Sequence, residues 1–386
     1  MNNPVIAIPC FKKPEALKRL LSSLKKAKYP ADVKIVFSVD YSGDDDAFNI
    51  VEAFEWPYGD KEIIRYDKNI GLRENILNCG KLSQKYGSVI ILEDDIYVSK
   101  DFYSYAVRAQ DFYSEDDNIA GISLYAYEYS EINQERFDPL YDGKDTFFMQ
   151  WASSWGQLWT ANHWKKFYRW YQLNKEKSLA CFNIPQNVIE WPESSWKKYY
   201  IAYLYDKKKF FVYPYVSFVS NCGDAGIHGR QGNFLNTQVC IPQFYKTSSI
   251  DFADFSLSLV KYDAFFQIYS DLLKKMNERI RAYDFDVDIA GTKKEINIEK
   301  EYLLSPKKCK KPILAFDYAL IPLALNVIND IEGEYLFFGK VLDFEMKEGL
   351  FYNVFRWSVN RSIPSGLGCL KYVFVKILKK IRIDKK

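Results

Sequence analysis

Short apolar runs alternate with amphipathic segments along the first 125 residues. The apolar runs predict buried strands at residues 4–9, 33–39, 62–66, 88–92 and 119–123. In the first segment between them, leucines recur at the spacing of one helix face: Leu17, Leu20, Leu21 and Leu24. Pro14 precedes them at a position suited to a first helical turn. Strands that alternate with helices predict an α/β fold, a mostly parallel central sheet flanked by helices.

The pattern is less regular after residue 125. It predicts helices over residues 162–173, 194–205 and 252–281 and a strand over residues 210–213. Residues 293–311 are charged and poorly periodic, so they are expected to form a linker. Apolar runs return between residues 312 and 357, as a small accessory domain or as segments that wrap the core.

Acidic residues follow two of the predicted strands. Asp40 ends the second strand, and Glu93-Asp94-Asp95 follows the fourth. Because parallel strands present their carboxyl ends at one edge of a sheet, these carboxylates are expected to meet there. Mg²⁺ and Mn²⁺ prefer oxygen ligands and neutralise the charge that develops on a leaving pyrophosphate. The acidic run therefore predicts a site for Mn²⁺ or Mg²⁺; a solvated loop is the alternative.

The net charge of +3 is unevenly distributed. Residues 370–386 contribute about +6, which leaves about −3 on the rest of the chain. No basic stripe crosses the body, so nucleic acid is not expected as a partner. The tail places its apolar residues on one helical face and its basic residues beside it, which predicts a helix that binds an anionic membrane surface. A terminal helix packed on the body is the alternative.

The cysteines and the apolar runs bear on location. Seven cysteines are widely spaced without a Cys-x-x-Cys pair, which favours a reducing cytosol over a disulfide framework or a zinc site. Neither a signal peptide nor an apolar stretch of about 18 residues is recognised. The expected location is cytoplasmic, peripheral at the inner membrane face.

The segment from Ile91 to Tyr103 resembles the acidic metal motif of the N-acetylglucosaminyltransferase I family, which has the GT-A fold. In that family an acidic trio is followed, several residues later, by Asp-Phe and further aromatic residues. The resemblance implies that Asp95 is a metal ligand and that Asp94, together with Glu93, faces the nucleotide sugar.

Further donor-site residues come from the same resemblance. Asp40 resembles the residue that pairs with the uracil edge, and Lys12, shortly after Pro9, resembles the basic residue that contacts the nucleotide. The turn at residues 69–73 resembles the Asn-x-Gly-Leu turn of many family 2 transferases, which implies that Arg73 lies near the donor. Pro9, Lys12, Asp40, Arg73, Glu93 and Asp94 are thus the predicted nucleotide-sugar-binding residues.

The acceptor side matches more loosely. Residues 151–159 resemble the aromatic-glycine segment over the donor sugar, and residues 191–196 resemble a Trp-Pro-x-x-x-Trp element. An aspartate base follows that element in the family, whereas Lys197 and Lys198 stand here. Glu193 is the predicted catalytic base, with the alternatives Glu190 and Asp224.

Two histidines complete the candidate residues. The loop at residues 221–228 resembles an Asn-x-Gly loop of bacterial polysaccharide transferases that ends in a His. His228 is therefore predicted as a second metal ligand, because a neutral imidazole suits Mn²⁺. His163 is expected to be structural.

Together these features predict a GT-A (Rossmann-like) catalytic domain over residues 1–250, with a nucleotide-sugar-binding half (1–125) and an acceptor-side half (126–250). A helical or mixed C-terminal extension (251–368) and the basic tail (369–386) follow. The predicted function is metal-dependent transfer of a sugar from a nucleotide diphosphate, a UDP-sugar, to a glycan or lipid-linked glycan acceptor in surface polysaccharide synthesis.

Two other classes stay open. One is a non-catalytic sugar-binding protein on a degenerate transferase fold, because the expected aspartate is missing after Trp196. The other is a nucleotidyltransferase, although residues 9–13 lack its glycine-rich basic signature.

Overall fold

The computed structural model describes residues 3–30, 32–224, 237–243 and 247–346. Contacts between residues separate two compact units. The first consists of Met1–Glu128 and Pro139–Ile268, and the second of Tyr129–Asp138 and Tyr269–Lys386. Each unit has a sheet of its own.

The described part of the first unit contains eleven strands and seven helices. The strands are β1 Val5–Cys10, β2 Ile35–Val39, β3 Lys61–Arg65, β4 Ser88–Ile91, β5 Ile96–Val98, β6 Ile119–Ser123, β7 Thr146–Met149, β8 Gln157–Thr160, β9 Phe210–Pro214, β10 Val219–Asn221 and β11 Lys261–Tyr262. The helices are α1 Pro14–Lys26, α2 Asp46–Ala53, α3 Gly71–Tyr86, α4 Phe102–Tyr113, α5 Ala161–Asn174, α6 Gln186–Ile189 and α7 Lys197–Asp206. The α/β class predicted from the sequence is confirmed.

Nine of these strands form one sheet in the order β11-β7-β9-β6-β8-β4-β1-β2-β3. The four strands from β4 to β3 run parallel. Every residue of β1, β2 and β4 is buried, as expected for parallel strands covered by helices on both faces. Helix α1 buries the four leucines that predicted it.

Strand β1 lies between β2 and β4, so the order of the strands reverses at β1. In open α/β sheets, ligands bind at such a switch point, outside the carboxyl ends of the strands. The residues that follow β1, β2 and β4 therefore share one edge, and they include Lys12, Asp40 and the acidic run.

The other half of the sheet is mixed. Strand β8 pairs antiparallel with both β4 and β6, and β7 pairs antiparallel with β9. Next to the sheet, β5 and β10 form an antiparallel two-stranded ribbon. This ribbon brings Asn221 opposite Ile96, directly after the acidic run.

The predicted helix over residues 252–281 is wrong for most of its length. The structure has only β11 and the short helix α8, Ser270–Met276, in regular conformation, followed by one 3₁₀ turn. Side chains here capture backbone N–H groups locally: Asp254 Oδ1 accepts from Ser256 N–H at 2.7 Å, and Asp263 Oδ1 accepts from Phe265 N–H at 2.8 Å. Such local bonds compete with the helical hydrogen bonds.

The described part of the second unit holds a four-stranded sheet in the order β12-β13-β15-β14. Its elements are β12 Phe285–Val287, β13 Tyr302–Ser305, β14 Leu314–Phe316, β15 Leu336–Lys340, α8 and α9 Ala324–Ile328. The linker predicted at residues 293–311 is therefore wrong, because it contains a central strand. The ammonium of Lys307 is buried there against the carboxylate of Asp288.

Two predictions lie outside the described residues. His228 belongs to the undescribed segment 225–236, and the basic tail at residues 369–386 follows the last described residue. Among the helices that the structure does describe, none combines the length and the apolar character needed to cross a bilayer.

Candidate active site

The acidic run Glu93-Asp94-Asp95 forms the turn between β4 and β5. The backbone N–H of Ile96 donates to the carbonyl of Glu93 at 3.3 Å and closes this turn. Because β4 lies beside β1, the turn meets the end of β1. There the N–H of Phe11 donates to Asp94 Oδ2 at 3.1 Å. The acidic run is thus tied to the switch point of the sheet.

Asp95 has two different carboxylate oxygens. Oδ2 accepts from the ammonium of Lys13 at 2.6 Å, and the Asp95 side chain is 12% exposed. Oδ1 is buried and has no hydrogen-bond partner among the described residues. The Asp95 carbonyl accepts from Cys222 N–H at 3.0 Å, so the chain after β10 lies against the turn. A buried carboxylate oxygen without a partner is costly unless a ligand or water occupies its lone pairs.

The three carboxylates repel one another. Loss of water around its carboxylate, reinforced by the negative charges of Asp95 and Asp94, raises the pKa of Glu93 to about 8. Burial, with the charge of Asp95, raises the pKa of Asp94 to about 6. Burial tends to lower the pKa of Lys13, but the nearby carboxylates, Asp95 first, outweigh this and raise it. The run therefore carries more negative charge than one lysine neutralises.

Lys13, rather than Lys12, reaches the acidic run. The ammonium of Lys12 lies over the ring of Phe11, 5.5 Å from the centroid, and its side chain is exposed. Pro9 is buried within β1, opposite Ser38 of β2. The sequence alone could not choose between two adjacent lysines, because the choice depends on where the chain leaves β1.

Asp40 holds the start of α3. Its Oδ1 accepts from the N–H groups of Tyr41 and Ile70, both at 2.8 Å, and Oδ2 accepts from Gly71 N–H at 3.0 Å. Asp40 is buried, and a carboxylate suits the positive end of a helix. These bonds fix the turn at residues 69–71 and the first turn of α3, which carries Arg73.

Arg73 and Glu193 belong to one polar cluster. Glu193 Oε1 accepts from Lys198 Nζ at 2.6 Å, and Oε2 accepts from Tyr199 Oη at 2.9 Å. Arg73 NH1 donates to Tyr199 Oη at 3.1 Å and lies 3.6 Å from Glu193 Oε2. The hydrogen bonds from Lys198, then Tyr199, lower the pKa of Glu193. Glu193 is thus ionised at neutral pH but a weaker proton acceptor than a free glutamate.

The two alternative bases have other contacts. Glu190 Oε1 accepts from Gln186 Nε2 at 2.9 Å within α6. Asp224 is ion-paired with Arg19 of α1, two residues after Cys222. His163 is buried at the start of α5, where its backbone N–H donates to Thr160 Oγ1 at 3.2 Å.

Lys197, at the first position of α7, is buried among aromatic rings. Its Nζ donates to Tyr127 Oη at 3.1 Å, and four rings surround the ammonium at 5.2–5.7 Å: Tyr127, Trp151, Trp155 and Trp191. Its positive charge also acts on Glu93 and opposes part of the rise in the pKa of that carboxyl. Cation–π contacts of this kind stabilise a desolvated ammonium. The structure thus explains how a lysine is accommodated where the resemblance predicts an aspartate.

The acidic run fits a hard divalent cation. Asp95 Oδ1 is buried and unpartnered, Asp94 and Glu93 supply further oxygens, and oxygen ligands suit Mg²⁺ and Mn²⁺. No group of three or more metal-ligating side chains occurs within the described part of the chain. A cation held here would therefore take its other ligands from water and from a bound diphosphate, as Mg²⁺ usually does.

The N-terminal region of the chain matches a known protein family. Residues 5–176 match the sequence profile of glycosyl transferase family 2, a stretch that runs from β1 into the segment after α5. It includes Lys13, Asp40, Arg73 and the acidic run, and it ends before Glu193. Among curated proteins, no sequence matches the chain.

Solved structures show weak similarity over part of the chain. TarS 1–349 of S. aureus is 17% identical over 54% of this chain and 59% of its own, with a TM-score of 0.35. The mannosyltransferase PcManGT of Pyrobaculum calidifontis, in complex with GDP-Man and Mn²⁺, is 12% identical over 44% and 46%, with a TM-score of 0.31. GalNAc-T7 with UDP, GalNAc and Mn²⁺ is 14% identical over 55% and 42%, with a TM-score of 0.38.

The chain spans less than two thirds of each of these structures. The family match covers strands β1, β2 and β4 and the residues that follow them, including the acidic run. The match agrees with the resemblance to GT-A glycosyltransferases: residues 5–176 are similar to the glycosyl transferase family 2 domain.

Proposed function

We propose that this protein is a divalent-cation-dependent glycosyltransferase that uses a UDP-sugar. The observation that carries the proposal is the buried, unpartnered Oδ1 of Asp95 within three carboxylates at the switch point. An edge of this kind binds nucleotides in α/β sheets, and the carboxylates provide the hard ligands for a metal beside a diphosphate.

Each predicted donor residue has a proposed role. Asp95 ligates the cation, and Asp94 and Glu93 face the sugar and ribose hydroxyls. Pro9 and Lys12 line the nucleotide at the end of β1, and Asp40 orients the uracil edge through the turn that it holds. Arg73 lies near the donor phosphates. His228 is the proposed second metal ligand.

Transfer forms a bond between the acceptor oxygen and the anomeric carbon and breaks the bond from that carbon to the diphosphate. A bound cation supplies charge neutralisation for the departing UDP. The proton of the acceptor hydroxyl must pass to a base. Glu193 is the proposed base: Lys198 and Tyr199 keep it ionised, and Arg73 links it to the donor side.

The acceptor is proposed to be a glycan or lipid-linked glycan of a bacterial surface polysaccharide. The support is the run of aromatic residues around Lys197, because ring faces stack on sugars, and the basic amphipathic sequence of residues 369–386. In this account the protein works in the cytoplasm, peripherally at the inner membrane face.

A second candidate is a non-catalytic protein that binds a nucleotide sugar. The replacement of the expected aspartate by Lys197, together with the lowered pKa of Glu193, favours it. The two candidates share the donor site and differ in turnover.

Hydrolysis and transfer assays with a panel of UDP-sugars and Mn²⁺ test the proposal. We expect one UDP-sugar to be turned over, and the kcat of Asp95→Asn to fall by at least about 100-fold because the charge on the departing diphosphate is no longer neutralised. Asp60→Asn is the control, since Asp60 is exposed at the opposite edge of the sheet, just before β3. Binding of a UDP-sugar without any turnover would favour the second candidate.

A further inference from the structure

Lys13 pairs with one oxygen of the Asp95 carboxylate, and the other oxygen is the one proposed to bind the cation. Its ammonium lies 2.6 Å from Asp95 Oδ2, within the range of a short charge-assisted hydrogen bond. The Lys13 side chain is 27% exposed and that of Asp95 is 12% exposed, so this pair is shielded from water more than a surface ion pair is. Lys13 and a divalent cation thus compete for the same carboxylate.

While no donor is bound, the Lys13 ammonium disfavours a cation at Asp95. A cation that approaches Asp95 must either share the carboxylate with an ammonium or displace it, and like charges at this distance repel strongly in a partly buried site. An ammonium that leaves Asp95 needs another anion. The donor proposed for this site brings one, because its diphosphate is negatively charged.

The position of Lys13 allows such an exchange. Lys13 directly precedes the first residue of α1, in the connection that follows β1 at the switch-point edge. Lysine has a long flexible side chain, and its ammonium binds phosphate as a point charge without a fixed geometry.

On the basis of the donor site proposed above, we propose that Lys13 couples divalent-cation binding to donor binding. In the free protein its ammonium holds Asp95 and weakens cation binding. When the diphosphate is bound, the ammonium pairs with it, and the Asp95 carboxylate attracts the cation without a competing positive charge. The diphosphate and the cation then strengthen each other's binding by the same factor.

A purely structural Lys13 has different consequences. If the ammonium only neutralised the acidic run, its removal would destabilise the fold and leave the linkage between cation and nucleotide unchanged. The two roles therefore differ in a binding measurement and not only in activity.

The experiment measures Mn²⁺ affinity by the EPR signal of free Mn²⁺, with the full chain, in buffer alone, with saturating UDP and with saturating uridine. Each titration is compared with the same solution without protein, because UDP itself binds Mn²⁺. For the wild type we expect UDP to tighten Mn²⁺ binding by at least about fivefold, which is the lower end of typical coupling factors, and uridine to have no effect because it lacks phosphates. Lys13→Met should bind Mn²⁺ at least about fivefold more tightly than the wild type in buffer alone, and UDP should then add less.

Two further variants make the result specific. Lys18→Met removes an exposed lysine that pairs with Glu15 at 2.7 Å on the same helix, and it should behave as the wild type. Lys13→Gln keeps a polar side chain in case Lys13→Met folds poorly, and it should give the same direction of change.

Two results would contradict the coupling. If Lys13→Met and Lys13→Gln bind Mn²⁺ as weakly as the wild type in buffer alone, or more weakly, Lys13 does not compete with the cation, while the donor site stands. If the wild type binds no Mn²⁺ with or without UDP, the coupling and the proposed donor site both fail.

Discussion

At the scale of single residues, burial determines how His163 responds to pH. Its ring is buried at the start of α5, and its Nε2 has no hydrogen-bond partner in the described chain. Burial, followed by the positive charge of Lys166, lowers the pKa of His163 to about 3. The folded protein therefore keeps this ring neutral where an unfolded chain protonates it.

The consequence is a loss of stability in acid. Because the pKa is lower in the folded than in the unfolded state, the contribution of His163 is fully present above about pH 6.5. It is lost towards pH 3, at about 1.4 kcal/mol per pH unit. We expect the free energy of unfolding of the wild type, relative to His163→Gln, to fall at this rate below pH 6.5 in urea titrations. A constant difference from pH 7 to pH 4 would show that folding does not lower the pKa of His163.

The sequence located several site residues but did not show which side chains they contact. Asp40 and the acidic run were found because they follow apolar strands, and the order of the strands brings them to one edge. The partners of Asp95 could not be predicted in the same way. The choice between Lys12 and Lys13 depends on where the loop turns. The surroundings of Lys197 depend on three rings from distant parts of the chain, those of Tyr127, Trp151 and Trp155.

At the scale of elements, one glycine sets the distance between two helices. A Cβ at Gly80 of α3 would lie 2.3–2.7 Å from ring atoms of Trp164 of α5. Trp164 is fully buried and packs against Trp159 and Phe167, so its ring has no free space to move into.

Gly80→Ala should therefore destabilise the protein although alanine favours helices. We expect the free energy of unfolding to fall by about 1–3 kcal/mol, since overpacking outweighs a gain of about 1 kcal/mol in helix propensity. Gln84→Ala, on the exposed side of α3, is the control and should change stability by less than about 0.5 kcal/mol. An increase in the stability of Gly80→Ala in urea denaturation would mean that the helices can separate without loss.

The elements of the first half were predictable because apolar periodicity dominates there. Strands β1 to β4 are continuous apolar or half-apolar runs, and α1 carries its leucines on one face. The region after residue 250 was not predictable from its apolar spacing, which indicates a helix. Asp and Ser side chains there accept hydrogen bonds from nearby backbone N–H groups, and these bonds replace the helical ones. In residues 293–311, the many lysines lower the average hydropathy, so the four-residue strand β13 was not recognised in the sequence.

At the scale of the whole molecule, residues 293–311 belong to a folded unit. Asp288 and Lys307 are buried there, and the carbonyl of Lys293 also accepts from Lys307 Nζ at 2.7 Å. Removing one member of a buried ion pair leaves an uncompensated charge, which costs about 3–5 kcal/mol.

Lys307→Met should therefore lower the free energy of unfolding of the second unit by about 3–5 kcal/mol. The double variant Asp288→Asn/Lys307→Met should recover part of this loss, because no unpaired charge remains and Asn still accepts from the N–H of Lys293. Urea denaturation and limited proteolysis at residues 293–311 measure both. Proteolysis of the wild type at these residues as fast as at an exposed linker would contradict the assignment of β13 to a sheet.

At this scale, we propose that the switch-point edge binds a UDP-sugar through a cation on Asp95. Calorimetric titration of UDP, with and without Mn²⁺, tests it most directly, on the wild type, Asp95→Asn and the control Asp60→Asn. We expect Mn²⁺ to tighten UDP binding at least about tenfold in the wild type and in Asp60→Asn, a difference of about 1.4 kcal/mol, and not in Asp95→Asn. Equal UDP affinities with and without Mn²⁺ in the wild type would contradict it.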